Sequence, residues 1–405
     1  MKWNIEPQTQ IDPVRVAARP MRSFEQARVA IVHYWFVSRR GGEKVVEAIA
    51  AMFPRADLFS LVVDPAAIPD SLRGRAIATS YLQKLPASHR YHRRLLPLYP
   101  FALEQFDLSG YDLVISSESG PAKGVLTSTR TCHICYCHSP MRYLWDFYHH
   151  YSASMGLVSR SFFNLASHYL RLWDAASAGR VDFFAANSRT VANRIRKVYR
   201  RAATVVYPPV NTDAGYLAQT VDDYYLVVSE LVDYKRIDVA IAACNRLGRR
   251  LRIVGAGQQY GRLRKLAGPS IEFCGSLSDI DLREQYARCR ALLFPGEEDF
   301  GIVPVEAMSF GRPVIAYGCG GAVETVKPFR PRAAHPENAT GVFAGAQTTD
   351  AFTEAILEFE AVEHRFRPLF IRQQTNRFSQ ARFRENFGQF LSEKWQEFHD
   401  DRVDL

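Results

Sequence analysis

Apolar residues in this chain fall into short continuous runs, each followed by a stretch in which they recur every three or four positions. The run ARVAIVHYWF (27–36) leads into RRGG (39–42), after which Val45, Val46, Ile49 and Ala50 share one helical face. That order predicts a strand, a glycine turn and a helix. Further runs, DLFSLVV (57–63), DLVISS (112–117), TCHICYCH (131–138) and DFFAAN (182–187), are bounded by turn residues or helical stretches. Strands alternating with helices predict a parallel sheet covered on both faces. Two prolines in YPPVNTD (207–213) interrupt the pattern and predict a linker.

Beyond it the alternation restarts. Strands are predicted at 224–231, 251–257, 271–276, 291–296 and 313–318, with helices around 237–247, 279–290 and 301–310. The expected fold class is therefore α/β, two doubly wound domains facing across a cleft, with ligands at the carboxyl ends of the strands. The expected boundaries are an extension at 1–27, a first domain at 28–206, a second at 207–375, and a segment at 376–405. That last segment carries Phe378, Phe383, Phe387, Phe390 and Trp395, and reads as an amphipathic helix packing back onto the protein. A length of 405 residues agrees with two domains.

Composition narrows the class. The chain is 47% hydrophobic and 23% charged, and no apolar run approaches the ~20 residues that cross a bilayer. The first 27 residues lack the apolar core of a signal peptide, and seven cysteines without framework spacing point to a reducing compartment, so a cytoplasmic location is expected. A net charge of +9 favours an anionic partner. The densest basic stretch, KLPASHRYHRR (84–94), runs into Leu95, Leu96, Leu98, Tyr99 and Phe101. Two readings stand: a face for an anionic membrane, or a solvated segment whose apolar side packs into its own domain. No nucleic-acid motif accompanies the charge, so nucleic acid is not expected as a partner.

The most informative stretch is EEDFGIVPVEAMSFGRPVIAYGCGGAVETV (297–326). Pro304 fits only the first turn of a helix, which leaves Glu298 in the loop before it and puts Glu306 on its second turn. Free amides near Phe300 and Gly301 would then form an anion site suited to a diphosphate, with a carboxylate on each side to grip sugar hydroxyls. The bland alternative is an acidic helix start favoured by the macrodipole. Gly41 and Gly42 open the first helix and would let backbone approach a phosphate closely. Lys235 and Arg236 follow the first strand of the second domain, where cations would neutralise a leaving diphosphate.

These residues resemble glycosyltransferase family 4, whose mark is two glutamates seven residues apart ending in EAM. YCHSPMRYLWD (136–146), VVSELVDYKRID (227–238) and GEEDFGIVPVEAM (296–308) are similar to the bacterial mannosyltransferases of O-antigen and exopolysaccharide assembly. The resemblance implies the GT-B fold and a retaining, metal-independent hexosyl transfer with no cofactor. It implies a nucleotide-diphosphate sugar donor, GDP-mannose, and a polyprenyl-diphosphate-linked glycan acceptor at the inner face of the plasma membrane. By the same likeness Glu298 contacts the donor sugar, Glu306 the ribose, Phe300 and Gly301 the phosphates, and Leu277 lies against the base. His138 opens a loop like the family's H-x-P loop and would act near the reacting sugar, while Arg142 in that loop would meet an acceptor phosphate. The chain departs from the family at Glu230, where an arginine usually completes a two-cation clamp with Lys235. Arg236 is then the candidate substitute.

Three other patterns lead elsewhere. In CHICYCH (132–138), alternation along a strand sends Cys132 and His138 to one face and His133, Cys135 and Cys137 to the other, so no zinc set converges. Asp279 and Asp281 follow Ser278 and read as a capped helix start rather than a metal motif. GAG (255–257) lacks the rest of a dinucleotide fingerprint. Two competing functions remain, a sugar-nucleotide epimerase and a non-catalytic nucleotide-sugar-binding subunit.

Overall fold

The computed structural model describes residues 23–38, 41–153, 155–332 and 335–400, the His150 side chain excepted. Most of the expected 1–27 extension, Arg39 and Arg40 of the glycine turn, and residues 401–405 lie outside the described residues.

Two separate parallel sheets form. The first comprises β1 (Val29–Phe36), β2 (Asp57–Val63), β3 (Ile77–Thr79), β4 (Leu113–Glu118), β5 (Cys132–Cys137), β6 (Phe183–Ala186) and β7 (Ala203–Val205), in the order β3-β2-β1-β4-β5-β6-β7. The second comprises β8 (Tyr225–Val228), β9 (Leu251–Val254), β10 (Ile271–Gly275), β11 (Ala291–Phe294), β12 (Val314–Tyr317) and β13 (Gly341–Ala344), in the order β10-β9-β8-β11-β12-β13. This is the GT-B arrangement. The strands expected from apolar runs all form; β3, β7 and β13, at sheet edges, were not legible in the sequence. Strand order reverses between β1 and β4 in one sheet and between β8 and β11 in the other, and such switch points open crevices at the strands' carboxyl ends.

Two chain crossings join the domains, and they run side by side. The Val210 amide donates to the Phe378 carbonyl at 2.9 Å, and Val210 bridges to Ser379. After the second crossing, helix Gln380–Asp400 returns to the first domain, burying Phe383, Phe387, Phe390, Leu391 and Trp395 against the β1-β4-β5 core. Gly388 meets Met52 there, and Tyr136 of β5 packs edge-on to Phe383 and Phe387.

The basic segment divides between its two readings. Leu95 and Tyr99 are buried in their own domain, whereas Leu98 and Phe101 are exposed. No helix among the described residues is long and apolar enough to cross a membrane.

The C-terminal helix supplies a stability test. Phe387 is fully buried, so Phe387→Ala should cost about 3–5 kcal/mol in urea unfolding. Leu369→Ala, at an exposed position, should stay within about 0.5 kcal/mol. Equal losses for the two would mean that the helix is not part of the first-domain core.

Candidate active site

The loops that follow β1, β5, β8 and β11 converge between the domains. After β1 the chain turns at Gly41 into helix Gly41–Met52, and a Cβ on Gly41 would stand 2.7 Å from Ile302 Cδ1. The bare glycine lets the first domain approach the helix start that carries Glu306 without displacing the end of Ile302. A Cβ on Gly42 would meet the Tyr34 hydroxyl at 3.1 Å and His138 Nε2 at 3.6 Å, which brings the end of β5 to the same place.

After β11 comes the loop Glu297-Glu298-Asp299-Phe300-Gly301. Gly301 adopts φ +84° and caps helix Ile302–Ser309, with Pro304 in its first turn as expected. Phe300 is buried against Tyr207 and Phe378, the residues of the two crossings, so only its backbone is available to a ligand. Neither the Phe300 nor the Gly301 amide donates to a backbone carbonyl among the described residues. The loop is held from below by Gly320 and Gly321, where the Gly321 amide donates to the Glu298 carbonyl at 2.7 Å. A Cβ on Gly321 would fall 2.3 Å from Phe300 Cα.

The three adjacent carboxylates of this loop are met by cations from both domains. Lys235, just after β8, bonds Glu298. Burial disfavours its charge, but the Glu298 carboxylate more than offsets this and leaves its pKa above the ordinary range. Arg194, on helix Arg189–Tyr199 of the first domain, bonds Asp299 and approaches Glu297 at 3.7 Å, while its Nε sits 2.7 Å from Asp146. Arg142 lies 3.6 Å from Asp299 and stacks on Phe147 at 4.1 Å, so this candidate for an acceptor phosphate is tied to the acidic loop. Arg236 turns to Asp238 at 3.3 Å, on the first turn of its own helix, rather than joining Lys235 on Glu298.

Glu306 also faces the other domain. Lys44 Nζ donates to its Oε1 at 2.9 Å, and the Tyr286 hydroxyl donates to Oε2 at 3.0 Å. The Glu306 charge raises the Lys44 pKa. Beside this pair an interdomain cavity of about 680 Å³ is lined by Lys44, Asp279, Arg283, Tyr286 and Glu306. Leu277 follows β10, half-buried on the second-domain core, and Ser278 caps helix Asp279–Arg288 through the Asp281 amide at 3.2 Å.

His138 sits at the end of β5 with its Nε2 2.9 Å from the Ser117 hydroxyl. Burial, helped by nearby His33, pushes its pKa down to about 3, so the ring is neutral at physiological pH. Its loop is anchored below by a buried charged cluster: Lys123 bonds Asp174 and lies 3.6 Å from Glu118, and the Trp145 indole donates to Asp174 at 2.8 Å. On β5, Cys132, Ile134 and Tyr136 enter one core and Cys135 and Cys137 another, the alternation expected. His133 bonds the Ser116 hydroxyl at 2.9 Å.

Sequence reasoning missed Lys44, Arg194, Asp299 and Glu324. The Glu324 carboxylate accepts from the Arg189 and Thr190 amides at 2.9 and 3.1 Å, so a second-domain side chain caps a first-domain helix. The GGAVE stretch around it was visible, but its target helix lies 134 residues away.

Two facing parallel-sheet domains, with a carboxylate-bearing helix start in the cleft, define a GT-B glycosyltransferase. Residues 39–214 match the family described as Glycosyltransferase Family 4, and residues 212–376 match Glycosyl transferases group 1. The chain belongs to glycosyltransferase family 4. Among its relatives, the uncharacterized glycosyltransferase MJ1178 of Methanocaldococcus jannaschii is 29% identical over 146 residues, 34% of this chain and 41% of that one. The GDP-mannose-dependent alpha-(1-6)-phosphatidylinositol monomannoside mannosyltransferase of Mycobacterium tuberculosis is 31% identical over 149 residues, 32% of this chain and 36% of that one. The alpha-1,3/1,6-mannosyltransferase ALG2 of Candida glabrata is 36% identical over 102 residues, 25% and 22% of the two chains. The chain thus matches less than half the length of each. Among solved structures, sucrose-phosphate synthase from Thermosynechococcus elongatus superposes with a TM-score of 0.66 at 17% identity, covering 91% of this chain and all of that one. Anabaena Alr3699/HepE in complex with UDP gives 0.63 at 15%, covering 90% of this chain and all of that one. At these identities the likeness is one of fold.

The buried histidine of β5 predicts a pH effect. Burial pushes the His133 pKa from 6.5 to about 4. Between those values the unfolded chain takes up a proton that the folded chain refuses, so this contribution to stability is lost as pH falls. Glu118, raised by burial to about 7, works in the opposite sense, so the comparison is with a variant rather than with wild type alone. On going from pH 7 to pH 5, wild type should lose about 2 kcal/mol more stability than His133→Gln in denaturant titrations. Parallel losses would show that His133 protonates in the folded state.

Proposed function

We propose that the chain is a retaining, metal-independent transferase that moves mannose from GDP-mannose to a polyprenyl-diphosphate-linked glycan in polysaccharide assembly. The observation that carries this reading is the close approach of Gly41 to Ile302 and of Gly42 to His138, which sets the end of β5 and the start of the first helix against the helix that carries Glu306. The family membership supports sugar transfer. The mannosyltransferase names of the Candida glabrata and Mycobacterium tuberculosis relatives, the second of them GDP-mannose-dependent, support the donor sugar. The UDP bound by the Anabaena protein supports a nucleoside diphosphate more generally.

In this reading Glu298 and Glu306 accept hydrogen bonds from donor-sugar and ribose hydroxyls, Leu277 lies against the base, and the Phe300 and Gly301 amides receive the diphosphate. As the bond from the anomeric carbon to the phosphate oxygen breaks, negative charge grows on the phosphate. Lys235 stands where that charge develops, and fixed cations and N–H donors there lower the barrier. The acceptor oxygen bonds the same face of the sugar, and its proton passes to the leaving phosphate. His138, neutral and hydrogen-bonded, positions the sugar rather than taking a proton. A hollow of about 540 Å³ lined by Arg90, Tyr91, His92, Arg93, Arg94 and Gln258 lies between the domains and suits an anionic acceptor. An acceptor of this kind would hold the enzyme at the cytoplasmic face of the plasma membrane.

Glu298→Ala and His138→Ala should each lower turnover at least a hundredfold, about 2.7 kcal/mol of transition-state stabilisation, with unfolding curves unchanged. Wild-type turnover in both would remove them from the reaction centre. Transfer should also survive EDTA, while Lys235→Ala should reduce kcat by a larger factor than it weakens donor binding in a thermal-shift titration. A strict need for magnesium or manganese would overturn the leaving-group account. Donor alone should give at most slow hydrolysis; a changed sugar would identify an epimerase.

A further inference from the structure

Helix Leu157–Ser177 is amphipathic in the inverted sense. The residues it buries include Ser167, Asp174 and Ser177, whereas Val158, Phe162, Leu165, Tyr169 and Leu172 point outward. Their spacing of four, three, four and three puts them on one face. They are 87%, 66%, 72%, 47% and 61% exposed. The stripe is about 21 Å long at 1.5 Å per residue. Its two arginines turn inward: Arg160 donates to the Ser152 and Met155 carbonyls and Arg171 to the Leu144 carbonyl.

The surroundings carry a charge of one sign. Leu96 of the basic segment packs on a cluster of Met141, Leu144 and this helix's Leu170, and the two elements lie side by side. From there Leu98 and Phe101 are exposed, 46% and 59%. Lys84, Arg90, Arg93 and Arg94 are exposed as well, and their charged groups form no ion pair among the described residues. The sequence contains no Asp or Glu between Asp70 and Glu104, and none between Asp146 and Asp174. Two acid-free stretches of chain thus lie side by side, one presenting an exposed apolar stripe and the other a group of exposed cations.

We propose that this face docks flat on an anionic lipid bilayer, with the Val158 to Leu172 stripe sunk among the acyl chains and Lys84, Arg90, Arg93 and Arg94 at the headgroups. A second copy would set like charges against each other, whereas anionic headgroups complement them. Apolar burial and headgroup attraction together give the two-part affinity that holds a helix in the interface plane. The inference deepens the proposed function and rests on it for one consequence: the bilayer meets the protein beside the Arg90, Arg93 and Arg94 hollow, so a lipid-linked acceptor reaches the cleft along the surface.

The test is co-sedimentation of the full chain with phosphatidylglycerol-containing and pure phosphatidylcholine vesicles. Wild type should bind the anionic vesicles at least tenfold more tightly, less so in high salt. Phe162→Glu/Leu165→Glu should lose at least tenfold in that affinity with an unchanged unfolding curve, and Arg90→Glu/Arg93→Glu/Arg94→Glu should abolish the preference for anionic lipid. Wild-type binding by the Phe162/Leu165 variant overturns the proposal. So does a dimer in sedimentation velocity that this variant dissociates while vesicles go unbound, which makes the face a self-interface. A parallel thermal shift with GDP-mannose separates the two readings. Vesicle binding without a donor shift supports docking and counts against the proposed donor, whereas a donor shift without vesicle binding overturns docking alone.

Discussion

Three consecutive carboxylates, Glu297, Glu298 and Asp299, enter the cleft just ahead of a helix start, and their mutual repulsion must be met by fixed cations. No single element supplies enough of them. Lys235 comes from the second domain, while Arg194 and Arg142 come from the first. The loop therefore has its charges satisfied only when the two domains are together, and the contact between them rests on electrostatics as well as on packing. Arg194 extends the same network to Asp146 in the His138 loop, so the Glu298 loop and the His138 loop share a cation.

The backbone beneath this network is stiffened where it crosses between domains. Phe300, in the acidic loop, packs on Tyr207 and Phe378, one from each crossing. Glu324 links the second domain to the N-terminus of helix Arg189–Tyr199, and its carboxylate also accepts from the Tyr207 hydroxyl at 3.2 Å. A rotation of one domain would disturb the aromatic contact, the helix cap and the loop's ion pairs together. The domain interface and the geometry of the candidate donor site are thus one mechanical unit.

Residues whose function depends on local backbone were legible in the sequence. Gly301 before a helix start, Pro304 in its first turn and Ser278 as a cap announce themselves by residue type, because turn and cap chemistry is decided within a few positions. Long-range partners were not. Lys44 and Glu306 are 262 residues apart and Arg194 and Asp299 are 105 apart, separations over which hydrophobic periodicity carries no information. Arg236 shows the same limit from the other side. Sequence position placed it next to Lys235, but its φ of +51° and its bond to Asp238 turn the side chain along its own helix. Helix Leu157–Ser177 escaped for another reason: periodicity reveals which residues share a face but not whether that face looks inward. Here the polar face is buried, because Asp174 completes the Lys123 and Trp145 cluster under the His138 loop.

That cluster and the cleft solve the same electrostatic problem in different ways. Under the His138 loop, Lys123 and Asp174 are sealed from solvent and exchange partners with nothing, which suits an anchor. In the cleft, Lys235 with Glu298 and Lys44 with Glu306 keep some exposure, and each carboxylate stands where the proposed donor would bring hydroxyl groups. Hydroxyl donors on the glutamates would release the two lysines toward the arriving diphosphate. Binding under the proposed function would then exchange ion pairs within the cleft rather than bury an uncompensated charge. The cations needed at the leaving phosphate would already be held in place by fixed carboxylates before the sugar bond begins to break, which is the preorganisation that makes electrostatic stabilisation effective.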